Sequence, residues 1–320
     1  MDTQKKSFIY RTKLLLPQVT VVLFMLILYF TGSLIQSAMS PLSVQGQPAV
    51  CGTVYENLPY GDKECQVYDL YIPSSLENTQ SQGVILFIHG GSWIRGDKSS
   101  MSKFCEEYAQ EGYITATMNY TLLSENNPSV TLDDTLDDIT ECISVIKKDL
   151  ASLGINADKL AISGNSAGGH ITLMYAYSRP DETEIPISFI FPRTGPTDMS
   201  FYAWEPVEAD RVTWFLSMFT GQTVTIEDYI DGSADDLIAS MSPVTYIDEN
   251  TVPTLLAYAG NDTVVGMNHY EAAKPYLDKY GVEYDYVLFP NSGHTLKDDP
   301  DCYEEFKGKV LLWAEKYFGY

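Results

Sequence analysis

The chain has 320 residues, 45% of them hydrophobic and 12% aromatic, enough to bury a sizeable core in one large α/β domain or two small ones and too apolar for a disordered protein. Twenty basic residues against 43 acidic ones give a net charge of −23; residues 1–40 carry +3 (Lys5, Lys6, Arg11 and Lys13 against Asp2), so the remainder holds −26. A body this acidic repels phosphate backbones and anionic lipid, which argues against nucleic acid or another polyanion as a partner.

Four basic residues precede an almost unbroken apolar run from Val19 to Phe30, the pattern of a targeting segment. The basic flank is expected to stay on the inner side, which puts everything after the run outside the cytoplasm. Leu14 to Ile35 would span about 33 Å at roughly 1.5 Å per residue, long enough for an uncleaved membrane anchor, and this reading is preferred. A second reading stays open, because Ala38-Met39-Ser40 offers the small-x-small spacing of a signal-peptide cleavage site. Residues 41–60 are polar and contain Gly and Pro, and read as a linker leading into a domain at 61–320.

From there short apolar runs alternate with helical patterns. Cys65 to Ile72 alternates like a half-exposed strand, whereas Val84-Ile85-Leu86-Phe87-Ile88 suits the buried centre of a sheet. The second run ends in His89-Gly90-Gly91-Ser92-Trp93. Tyr113 to Tyr120 is the next strand. Thr131 to Leu150 then places Leu132, Leu136, Ile139, Ile143 and Ile146 at helical spacing. Leu160 to Ser163 is a strand that runs into Gly164-Asn165-Ser166-Ala167-Gly168 and a helix from Gly169 to Tyr177. Ile187 to Phe191 follows as a strand. Residues 198–240 break the alternation and read as an inserted cap whose Trp204, Trp214, Phe215, Met218 and Phe219 either line an acyl or aryl pocket or simply pack the cap down. Thr254 to Tyr258 and Tyr284 to Phe289 are strands, and Asn268 to Lys279 and Cys302 to Tyr317 are helices. Strand then helix, repeated, predicts a mostly parallel sheet covered on both faces.

A G-x-S-x-G turn between strand and helix bends sharply enough to lift its serine above the sheet edge, where the amides at the helix start favour an anion. Ser166 is therefore the candidate nucleophile, and it needs a base. His294 lies in Asn291-Ser292-Gly293-His294-Thr295 just after a strand, at the edge shared with Ser166, while His89, His170 and His269 sit in less suitable places. Asp262, in Gly260-Asn261-Asp262 after another strand, is the candidate acid. Asp298, Asp299 and Asp301 lie too close to His294 in sequence and read as solvated surface acids. The order is serine, acid, histidine, with gaps of 96 and 32 residues, and it fits neither the chymotrypsin nor the subtilisin order. Gly91, Ser92 and Ala167 are the candidate oxyanion donors through their amides, with His89 and Gly90 supporting the loop.

These motifs, with Asn119-Tyr120, Ser242-Pro243, Gly260 to Val265 and Ser292-Gly293-His294, resemble the α/β-hydrolase superfamily, close to hormone-sensitive-lipase-like and BD-FAE-type serine esterases, over roughly residues 60–320. The departures are Ser92 in place of a glycine and Thr121 where such families often carry arginine. The resemblance implies hydrolysis of a small-molecule or carbohydrate ester through an acyl-enzyme, with no cofactor and no metal. Amide or peptide cleavage by the same residues is an alternative, as is a non-catalytic surface binding module, against which stands the presence of every triad residue. The five cysteines lack C-x-x-C spacing and read as idle thiols, with a Cys51–Cys65 pair as the other reading.

Overall fold

In the computed structural model, residues 46–76, 82–205, 207 and 209–319 are described, and all of them fall in the unit Val44–Tyr320. Its framework is a nine-stranded sheet in the order β1-β2-β3-β5-β4-β6-β7-β8-β9. The strands are β1 (Gln47–Ala49), β2 (Gly52–Pro59), β3 (Val67–Pro73), β4 (Gln82–Ile88), β5 (Ile114–Met118), β6 (Ala157–Gly164), β7 (Ile187–Ile190), β8 (Thr254–Ala259) and β9 (Tyr284–Phe289). The first three pair antiparallel, β3 pairs antiparallel with β5, and every pairing from β5 through β9 is parallel. Parallel strands end at one edge, so the segments after β4, β6, β7, β8 and β9 gather there.

The helices are α1 (Ser102–Gln110), α2 (Leu132–Ser152), α3 (Ala167–Ser178), α4 (Phe201–Trp204), α5 (Ala209–Thr220), α6 (Ile226–Ile230), α7 (Asp235–Ser240), α8 (Asn268–Tyr280) and α9 (Pro300–Ala314). The start of α2 is fixed by a capping box in which the Thr131 amide donates to Asp134 Oδ2 at 2.8 Å, and its Leu136, Ile139, Ile143 and Ile146 are buried. Alternation through the sheet divides the core. Ile85 and Phe87 of β4 join Phe189 and Phe191 in one cluster with Cys105 and Tyr108 of α1 and Phe306, Val310 and Ala314 of α9. Val84, Leu86 and Ile88 are equally buried and point the other way, as period-two geometry requires. Burial of each such side chain contributes roughly 1.5–3 kcal/mol, which keeps the parallel centre of the sheet together.

Two expectations change. Residues 52–59, read as linker, are a strand: Val54 and Leu58 are buried on either side of the exposed Glu56 and Asn57, and β2 covers the edge of β3. The third strand is buried on both sides and not half-exposed. Its polar Asp69 faces inward because Lys98 Nζ meets both carboxylate oxygens at 2.7 and 2.8 Å, with the Asn57 amide donating at 2.7 Å. All five cysteines are free, Cys51 being buried in the core cluster. The anchor or signal segment lies outside the described residues, among which no helix is long and apolar enough to cross a membrane.

Between β7 and β8 stand the four short helices α4 to α7. Their aromatics pack downward: Phe215 and Phe219 meet Trp93 with ring centroids 5.0 and 4.7 Å apart, Phe219 stacks on His170 at 5.4 Å, and Trp204 meets Phe215 at 5.2 Å and His269 at 5.0 Å. Of the two roles open to these rings, the structure shows packing.

Candidate active site

β6 is buried from Leu160 to its end and then turns at Asn165-Ser166 into α3. Ser166 takes φ 55° and ψ −122°, a conformation costing a non-glycine residue about 1–3 kcal/mol and tolerated where surrounding contacts enforce it. Those contacts are present. The Ser166 amide donates to Arg193 O at 3.0 Å, and the His170 amide donates to Ser166 O at 3.0 Å. The glycines are explained by proximity. A Cβ on Gly164 would lie 2.3 Å from Gly168 O, and one on Gly168 would lie 2.2 Å from Ile88 O, so α3 can start against the end of β4 only with both side chains missing.

The loop after β4 is pressed onto this turn. A Cβ on Gly90 would meet Asn165 O at 2.7 Å and Ser166 Cβ at 3.3 Å. Gly91 has φ 134°, which only glycine adopts readily, and Ser92 and Trp93 follow in the left-handed region at 54° and 63°. Among the described residues the amides of Gly91 and Ser92 donate to no protein acceptor, and Ala167 opens α3, where first-turn amides lack intrahelical partners. His89 is buried, shares a hydrogen bond between Nδ1 and Gly90 O at 2.8 Å, and stacks on Tyr120 at 4.3 Å, whose hydroxyl donates to His89 O. Burial lowers its pKa, and a carbonyl can only accept, so Nδ1 carries the hydrogen. Below the loop, Lys98 N donates to Asn119 Oδ1 and Asn119 Nδ2 to Asp97 Oδ2, tying the loop to the end of β5. At Thr121, Asp138 Oδ2 accepts from the backbone amide and Lys63 Nζ donates to the hydroxyl at 3.0 Å.

Asp262 follows β8 and is shut from solvent at its side chain. Oδ1 accepts from the amides of Val264 and Val265 at 2.8 and 3.0 Å, and Oδ2 lies 2.7 Å from His294 Nδ1. His294 follows β9 with about a quarter of its side chain exposed. It lines the same cavity of about 180 Å³ as Ser166, together with Phe104, Asn165, Arg193, Thr194, Thr295 and Leu296. The turn that carries it is held by Asp299, which is buried and not a solvated surface acid: its carboxylate accepts from the amides of Asn291 and Ser292, the Asn291 side chain and the Ser292 hydroxyl at 2.7–3.0 Å.

The other two histidines are committed elsewhere. Trp93 Nε1 donates to His170 Nδ1 at 3.2 Å and His170 Nε2 lies 3.0 Å from Met241 O; full burial pushes its pKa down to about 4. His269 accepts from the Thr197 amide, and burial lowers it to about 3.

Arg193 was not singled out from the sequence. It follows β7 at the same edge, in Phe191-Pro192-Arg193, and a charged residue at the end of a buried strand was the available signal. Its backbone bridges Asn165 and Ala257, its Nε donates to Asn165 Oδ1 at 2.6 Å, and its guanidinium lies 3.9 Å over the Phe104 ring.

The BD-FAE family model matches residues 68–277, most of the chain, including Ser166 and Asp262 and stopping before His294. The chain belongs to the BD-FAE family. Curated relatives of this BD-FAE member include the isoprenylcysteine α-carbonyl methylesterase ICME of Arabidopsis thaliana, 31% identical over 118 residues that cover 37% of this chain and 26% of the relative. Esterase LipQ of Mycobacterium tuberculosis is 22% identical over 245 residues, covering 75% and 56%. The chain thus spans about a quarter of the plant methylesterase and about half of LipQ. Among solved structures, a truncated carbohydrate esterase from gut microbiota superposes with a TM-score of 0.70 at 18% identity, covering 86% of this chain and all of that one. Esterase B of Lactobacillus rhamnosis superposes at 0.66, with 18% identity and coverage of 92% and 95%. The fold of the BD-FAE chain is that of the α/β hydrolases.

Proposed function

We propose that this chain is a serine hydrolase of carboxylic esters. The observation that carries the reading is the 2.7 Å contact between His294 and the buried Asp262, residues from two different strand ends, with His294 lining the cavity that Ser166 also lines. The esterase names of its relatives and structural neighbours support the same class.

An ionised carboxylate only accepts, so His294 carries its hydrogen on Nδ1 and leaves Nε2 free to take a proton. Ser166 Oγ attacks the ester carbonyl while Nε2 receives its proton. The carbonyl oxygen becomes an oxyanion, for which Gly91, Ser92 and Ala167 supply amides; loss of one such donor typically costs about 100- to 1000-fold in rate. Collapse expels the alcohol, which leaves with the proton from Nε2. Water then repeats the sequence on the acyl-enzyme and releases the acid. Asp262 holds the imidazole in the required tautomer and stabilises its charged form.

The N-terminal basic flank and the apolar run up to Ile35 support an exported enzyme held at the membrane by an uncleaved segment. Fractionation of cells producing the full chain, with protease added from outside, tests that placement. For the chemistry, Ser166→Ala is expected to abolish fluorophosphonate labelling and to lower turnover of p-nitrophenyl acetate by several orders of magnitude, as about 10⁶-fold losses are known for a serine nucleophile. A folded Ser166→Ala variant with undiminished turnover would overturn the proposal.

A further inference from the structure

Arg193 is 8% exposed, yet no carboxylate lies within ion-pair distance of it among the described residues. A guanidinium with this little exposure ordinarily has an anionic partner, because an uncompensated buried charge is costly. Its Nε is occupied by Asn165 and its face by Phe104, and among the described residues no protein acceptor meets its terminal NH₂ groups, which are not fully closed to solvent. Glu107, the carboxylate whose field reaches it, is engaged by the Tyr303 hydroxyl and by Lys307.

The position of this charge matters more than its isolation. Arg193 lines the 180 Å³ cavity that contains Ser166 and His294, and no other fixed charge lines it. It also lines an adjoining cavity of about 600 Å³, with Phe104, Thr295 and Leu296 common to both. Charges in the outer space are mixed, Lys103 and Lys297 against Glu106, Glu107 and Glu304, so discrimination by charge belongs to the inner one. In a body carrying −26, the wall beside the nucleophile is locally cationic.

Resting on the ester-hydrolase reading, we propose that Arg193 selects esters bearing a free carboxylate, which its terminal NH₂ groups seat beside Ser166 while Asn165 and Phe104 fix the guanidinium plane. A planar fork matches a carboxylate in bidentate fashion. A single guanidinium also balances a monoanion, whereas a phosphate dianion would face the acidic body with one charge uncompensated.

The test uses two matched substrate pairs with the full chain, after subtraction of spontaneous hydrolysis: p-nitrophenyl hemiadipate against p-nitrophenyl hexanoate, and 4-acetoxybenzoate against 4-acetoxybenzamide. The readout is the ratio of kcat/KM, anionic over neutral, because a disturbed fold or elbow lowers both members together and leaves the ratio unchanged. At least one pair is expected to favour the anion by about 10- to 100-fold, the size of a charge-assisted hydrogen bond. Arg193→Met is expected to erase that preference through a raised KM for the anion, and Arg193→Lys to keep part of it. Turnover without charge preference in the unmodified enzyme, or a ratio unmoved by Arg193→Met, overturns the proposal and leaves the esterase reading intact. Absence of both turnover and fluorophosphonate labelling would bring down both.

Discussion

Replacing Asp262 by Asn probes the acid–base pair with almost no change of shape. The two oxygens of Asp262 have different tasks: Oδ1 accepts from two backbone amides, and Oδ2 faces His294 Nδ1. An asparagine here has one orientation open to it, because turning its NH₂ toward Val264 and Val265 would set donor against donor inside a site closed to water. Its oxygen must therefore take the amides and its NH₂ must face Nδ1. The imidazole then accepts at Nδ1 and carries its hydrogen on Nε2, the nitrogen that receives the Ser166 proton in the proposed mechanism. The expected loss is about 10⁴-fold in kcat, or about 5 kcal/mol at 1.36 kcal/mol per decade, with little change in KM. Thermal unfolding should stay near that of the parent, since both backbone amides keep their acceptor. Steady-state hydrolysis of p-nitrophenyl acetate at neutral pH measures it. A loss of less than tenfold would refute the assignment of tautomer and roles.

Lys98→Met should destabilise the fold by about 3–5 kcal/mol by stranding the Asp69 carboxylate, and adding Asp69→Leu should recover part of that in urea unfolding. Phe219→Ala removes a fully buried ring that touches both Trp93 and His170; a loss of about 3–5 kcal/mol is expected, seen as a lower thermal midpoint. Acid should weaken the fold through His170. The unfolded chain binds a proton there near pH 6.5, the folded one only near pH 4, so stability is complete above about 6.5 and falls as pH drops between the two, by about 2 kcal/mol at pH 5 from this residue alone. Urea midpoints at pH 7.5 and pH 5 measure the change, and equal midpoints would contradict it.

The centre of the sheet was legible because its strands are continuous apolar runs and the turns after them carry unusual residues. Ser166, Asp262 and His294 each stand a few residues beyond such a run, at spacings that local pattern alone reveals. What stayed hidden depends on partners remote in sequence. Nothing near Asp69 tells that Lys98 will arrive to neutralise it, so an inward strand looked half-exposed. Val54 and Leu58 are too sparse among polar neighbours to announce a strand until β3 is there to pair with it. Asp299 seemed placed for solvent because the turn it holds closes back on it in three dimensions only. Arg193 escaped for the same reason: its meaning lies in having no carboxylate within ion-pair distance among the described residues, and sequence does not show distance.

The four hydrogen bonds that Asp299 receives from Asn291 and Ser292 fasten the segment leading to His294 before any ester arrives. The entropy lost in ordering that segment is charged to folding once, and no share of it recurs with each turnover. In the proposed mechanism, affinity for the ester can then go into orienting the scissile carbonyl, because the segment that carries His294 is ordered beforehand.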